Sequence, residues 1–93
     1  MSSLIVYHEV KDGENWANAW KKGPNSRHEL FAKYGVKART FRDPANPNFA
    51  CVLCEVSDMK KFNDVMQSDL GKKAMAEDGL KIETVKILHE FTP

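Results

Sequence analysis

Phe49-Ala50-Cys51-Val52-Leu53-Cys54-Glu55-Val56 is the stretch on which the fold turns. It is almost continuously apolar and short enough to be a strand, the pattern of a strand covered on both faces. Alternation sends Ala50, Val52, Cys54 and Val56 to one side and Phe49, Cys51 and Leu53 to the other. Just upstream, Asp43-Pro44-Ala45-Asn46-Pro47-Asn48 reads as a loop, because two prolines and two asparagines suit neither a helix nor a central strand. Before that loop, Val36–Arg42 has the β-branched and aromatic content of another strand.

The first strand is Leu4–Val10, ended by the turn signal Lys11-Asp12-Gly13. It too is two-sided, with Leu4, Val6 and Val10 opposite Ile5 and Tyr7. Asp12 is placed to cap a helix whose Trp16, Ala19, Trp20 and Gly23 share one face. Gly23-Pro24 interrupts it, and Ser26-Arg27-His28-Glu29 reads as a capping box opening a second short helix. Leu30, Phe31 and Tyr34 form its apolar stripe, and Gly35 stops it. Downstream of Val56, Ser57 is the expected cap of a helix bearing Met59, Phe62, Val65 and Met66. Ser68 restarts that helix, Leu70, Ala74 and Met75 continue its stripe, and Gly79 ends it. Leu80–Phe91 reads as the last strand.

The order is β-α-β-β-α-β, a ferredoxin-like α+β arrangement: a four-stranded antiparallel sheet with the helices on one face. At 93 residues it is expected to be a single domain, 1–93. The helices cover one face of the sheet only. The other carries Tyr7, Phe41, Phe49, Cys51 and Leu53, and an apolar face of that size needs a cover. A second copy of the chain is the simplest one, so a homodimer through this sheet face is expected.

Composition narrows the partners. Fourteen Lys+Arg against thirteen Asp+Glu leave a net charge of +1, which excludes a strongly basic nucleic-acid footprint and an electrostatic hold on anionic membrane. No apolar run approaches the ~20 residues of a spanning helix, and no secretion signal is visible. Two cysteines do not make a disulfide scaffold, which points to a reducing cytoplasm. An RNA-binding module of the same element order would need exposed strand aromatics with basic neighbours, and that motif is missing.

The element order, the two-sided strands, the opening Val6-Tyr7-His8-Glu9-Val10-Lys11-Asp12-Gly13-x-x-Trp16 and the closing Gly79 plus apolar strand resemble the dimeric α/β-barrel superfamily. Within it, the chain is similar to the small antibiotic-biosynthesis-monooxygenase-like proteins. The resemblance implies two sheets facing each other in a homodimeric barrel, with a pocket between the sheet and helices of each subunit. It implies a range of chemistries, from cofactor-free monooxygenases to haem-degrading enzymes, isomerases, cyclases and ligand-sensing modules, so it does not fix one.

The chemistry-bearing residues are few. Cys51 and Cys54 form a C-x-x-C, but a spacing of three in a strand sends them to opposite faces, about 10 Å apart and beyond disulfide reach. They read as small core residues, with no metal site expected. His28 falls in the capping box and reads as exposed, and His89 lies near the end of the last strand. His8 shares a strand face with Leu4, Val6 and Val10, and a titratable group on a buried face is informative. Two readings stand: a core histidine satisfied by a partner, or a pocket acid/base. Trp16 and Trp20 read as core or as the aromatic wall of a pocket, and Met66 as filler or adaptable lining. Arg39 reads as an edge-strand charge or a carboxylate ligand.

Together these suggest a cavity between sheet and helices lined by His8, Trp16, Trp20, Phe31, Cys54 and Met66, with His8 as the catalytic candidate and no cofactor. The expected function is a cofactor-free monooxygenase-like or cyclase/isomerase-type enzyme acting on a small, largely apolar organic molecule. The alternative is a non-catalytic dimeric module for a small ligand or a protein.

Overall fold

The computed structural model describes residues 2–93. In it β1 is Ser2–Glu9, α1 Gly13–Trp20, α2 Arg27–Ala32, β2 Val36–Asp43 and β3 Asn46–Val56. Then come α3 Met59–Gln67, α4 Asp69–Glu77, a 3-10 turn Ile82–Thr84 and β4 Lys86–His89. The strands form one antiparallel sheet in the order β2-β3-β1-β4, the ferredoxin-like topology. Each helical half is broken in two, where the small residues foretold it. Gly23 and Asn25 take positive φ (144° and 66°) between α1 and α2. At the second break Ser68 Oγ donates to the Val65 carbonyl at 2.6 Å and accepts from the Gly71 N–H at 3.2 Å. A Cβ on Gly71 would overlap that carbonyl, so α4 can fold back against α3 only with glycine here.

Four expectations are corrected. The cap of α3 is Asp58, which accepts from the N–H groups of Lys60 and Lys61, while the Ser57 hydroxyl donates to the Gly35 carbonyl at 2.9 Å. The capping box is half made: Ser26 Oγ accepts from the Glu29 N–H, but the Ser26 N–H is already taken by the Gly23 carbonyl. The loop expected over 43–48 shrinks to a turn at Pro44-Ala45, and Asn46–Asn48 belong to β3. Pro47 is tolerated there because the pairing of β1 with β3 begins only at Phe49. The last strand is not continuous over Leu80–Phe91. Leu80 bridges Val10, the chain then leaves the sheet through the 3-10 turn, and only Lys86–His89 form a strand. Thr84 causes the departure: its hydroxyl donates to the Lys81 carbonyl at 2.6 Å and accepts from the Glu9 N–H at 2.9 Å, taking a strand donor for a turn.

The core lies between the sheet and the helices. Leu4, Val6, Val10, Val52, Cys54 and Val56 supply its floor; Trp16, Trp20 and Phe62 descend on it. Among the described residues no element lies above the opposite sheet face. Ile5, Tyr7, Cys51 and Leu53 are half-buried there by their neighbours, while Phe41 and Leu88 are 45% and 54% exposed. Arg39 lies on this open face with its guanidinium 5.5 Å from the centre of the Phe41 ring, away from the helices.

Cys51 and Cys54 are free thiols on opposite faces of β3. Burial and the neighbouring Cys51 push the Cys54 thiol up to about 12. Cys54 should therefore resist iodoacetamide at pH 8 in the native protein and react on unfolding. Peptide mass spectrometry checks this, and alkylation of Cys54 at the rate of a free thiol would contradict its burial.

Candidate functional site

A cavity of about 70 Å³ lies between the sheet and the four helices. Val6 and His8 of β1, Val52 and Cys54 of β3 and Ile87 of β4 form its floor. Trp16 and Trp20 of α1, Leu30 and Phe31 of α2, Met66 of α3 and Met75 of α4 wall it. All six residues singled out in the sequence, His8, Trp16, Trp20, Phe31, Cys54 and Met66, meet here. Local structure explains the gathering. The Asp12 carboxylate caps α1 through the N–H groups of Glu14 and Asn15, which starts the helix where Trp16 and Trp20 point at the sheet. Trp20 then meets the Phe31 ring edge-on at 5.2 Å, carrying the aromatic wall from α1 to α2.

His8 is the polar centre of the floor, 2% exposed. Its partner across β3 is Ala50, whose methyl leaves room for a ring. On its other side β4 has not begun, because the 3-10 turn diverts the chain between Leu80 and Val85, and both of those residues line the cavity. Neither His8 ring nitrogen has a hydrogen-bond partner among the described residues, and nor does Nε1 of Trp16, itself 3% exposed. The two rings lie edge to face with centres 6.2 Å apart. Leaving such a group unpaired costs about 1–3 kcal/mol each. Unpartnered ring nitrogens lining a cavity leave His8 able to hydrogen-bond a molecule placed there.

Burial lowers the pKa of His8 below the ordinary 6.5, so the ring is neutral at pH 7, with one nitrogen donating and the other accepting. The unfolded chain takes up a proton at 6.5 that the folded chain refuses. Its contribution to stability is therefore complete above that value and is lost as pH falls from 6.5 to the depressed folded value. The melting temperature should drop over this range. His28, half-buried against the Trp20 ring at 5.1 Å rather than exposed as expected, is lowered too, by burial and then by Lys22. Subtracting the profile of His8→Phe isolates the His8 part, and identical profiles would contradict it.

Two charged lining residues escaped the sequence reading. Arg27 of α2 and Asp78, just after α4, form an ion pair in the cavity wall. Arg27 Nε donates to both carboxylate oxygens of Asp78, at 3.1 and 2.9 Å, and Nη2 donates to one of them at 2.9 Å. Nη2 also reaches Glu77 at 3.3 Å. Asp78 is 5% exposed, and burial pushes its carboxyl up while Arg27 pulls it down. No local signal announced the pair: the partners are 51 residues apart, and charges at helix ends read as solvent-facing. Among the described residues no group of three or more His, Cys, Asp and Glu could hold a metal, and no helix is long and apolar enough to cross a membrane.

No family model and no curated protein matches the chain. Solved structures do. One, from Nitrosomonas europaea and provisionally called an antibiotic biosynthesis monooxygenase, superposes with a TM-score of 0.70 at 16% identity over 99% of this chain and 98% of that one. A second structure called an antibiotic biosynthesis monooxygenase gives 0.60 at 10% identity over 100% and 99%. A conserved protein from Methanosarcina mazei gives 0.65 at 16% identity over 99% and 92%. The chain has the antibiotic-biosynthesis-monooxygenase fold. Identities this low establish the monooxygenase-type fold alone, so the chemistry must be argued from the cavity.

Proposed function

We propose that the chain binds a small, largely apolar organic molecule in the cavity between sheet and helices. We further propose that it acts on that molecule as a cofactor-free monooxygenase-like or cyclase/isomerase-type enzyme, with His8 taking up a proton. The observation that carries this is the buried, neutral His8 whose two nitrogens, like the neighbouring Trp16 Nε1, have no partner among the described residues, in an enclosure that is apolar apart from the Arg27–Asp78 pair. A hydroxyl or enol oxygen placed between the two rings accepts from Trp16 Nε1 and passes its proton to the free nitrogen of His8. Trp16 then stabilises the oxygen's negative charge as the proton leaves. The apolar walls strengthen both interactions by excluding water. At about 70 Å³ the space is half of the ~150 Å³ that accepts benzene in an engineered apolar void, so a ring enters by displacing the flexible Met66 and Met75. The same proposal includes a homodimer formed through the open sheet face.

Both tryptophans of the chain line the cavity, so intrinsic fluorescence reports on its contents. Titration with toluene and with phenol should change the emission saturably. Emission unmoved by either at millimolar concentration would remove the cavity as a binding site.

A further inference from the structure

We infer that the cavity selects neutral ligands against carboxylates, and that Asp78 is the residue that sets this choice. The inference rests on the reading of the cavity as a binding site. The cavity has one permanently charged cation in its wall, Arg27, and an unpaired guanidinium in an apolar enclosure would be a strong carboxylate receptor. Here its charge is already matched, with Nε and Nη2 engaged and only Nη1 making no bond among the described residues. Nε is shared between the two oxygens of Asp78, Nη2 is shared between Asp78 and Glu77, and the bidentate fit is that of an ionised carboxylate. Asp78 therefore neutralises Arg27 within the wall, the exposed Glu77 lying outside it, and an incoming anion meets no net positive charge. The remaining polar atoms do not rescue it. His8 is neutral and Trp16 offers a single N–H. A carboxylate entering this space would be desolvated with no unmatched cation among the described residues to pair with it, whereas a neutral amide, alcohol or phenol satisfies His8 and Trp16 without that penalty.

Asp78 is placed for this role by its surroundings. It follows the last residue of α4, and its N–H bonds the Ala74 carbonyl. It is buried where helix-end acids are usually solvated.

The test compares benzamide with benzoate at pH 7, a pair matched in shape and different in charge, with toluene as the apolar reference and tryptophan emission as the readout. The wild type should bind benzamide at least ~10-fold more tightly than benzoate, since an unpaired buried charge costs several kcal/mol. In Asp78→Asn the ratio should fall by ~10-fold or more as Arg27 becomes available. Asp78→Ser, which also leaves room for the ligand's carboxylate beside Arg27, is the second variant should the first not fold. Equal binding of benzamide and benzoate by the wild type overturns the inference, as does an unchanged ratio in a folded variant. Toluene leaving the emission untouched would instead overturn the binding-site reading itself, so the two failures are distinguishable.

Discussion

His8→Phe should lower turnover by ~100-fold or more, the usual loss when a general base is removed, and should leave the protein at least as stable as before. The two halves of that outcome come from one observation. A core histidine held by hydrogen bonds would leave its partners unsatisfied when replaced, and stability would fall. His8 has no such partners among the described residues, so exchanging its ring for an apolar one of similar size removes two unpaired nitrogens and strands nothing. A gain of about 1–3 kcal/mol is the scale of that relief. Ala50 opposite it leaves space for the slightly larger ring. Thermal melts, toluene binding and turnover of a phenolic or enolisable substrate separate the cases. Turnover lost with the melt held and toluene still bound supports the base. Unchanged turnover shows that His8 is not the base, and a melting temperature lowered by many degrees shows it to be a structural histidine.

Leu53→Asp should convert the proposed homodimer into monomer or unfold the chain. Leu53 is at the centre of the open sheet face, directly opposite Ile5 on β1 and Arg39 on β2, with Tyr7, Phe41, Phe49 and Cys51 around it on the same side. A stable interface removes roughly 1,200 Å² or more from water in total. A carboxylate in the middle of such a seam would be desolvated twice over, once in each subunit. Sedimentation velocity at micromolar concentration is the measurement. Wild-type protein sedimenting as a 10.6 kDa species would contradict the dimer before any variant is made.

The sheet and the site were legible to different depths. Period-two alternation is a strong signal when one face is buried, so β1 and β3 were read with the correct residues on each side, and His8, Trp16 and Cys54 fell together as expected. The Leu80–Phe91 segment failed for a reason outside the segment. Ile82, Val85, Ile87 and Leu88 have the composition of a strand, but one threonine hydroxyl diverts the backbone by bonding Lys81 and Glu9. That competition is decided by Glu9, a residue 75 positions away, and so it has no trace in the segment itself. The Arg27–Asp78 pair was hidden for the same reason. Each residue is ordinary among its neighbours, and only the fold makes it buried.

The position of β1 has a kinetic consequence. β2 and β3 form a hairpin closed by the Pro44-Ala45 turn, so their pairing needs almost no loop closure. β1, by contrast, lies between β3 and β4, and its ladders join Leu4 to Cys54 on one side and Leu4 to His89 on the other. Refolding should therefore begin at the hairpin, with β1 captured afterwards and β4 last, at a rate limited by these distant encounters. Conservative truncations in the hairpin should slow refolding, while truncations at Ile87 or Leu88 should mainly hasten unfolding. A stopped-flow chevron series distinguishes the two, and equal effects on both limbs at all these positions would show that the hairpin does not nucleate the sheet.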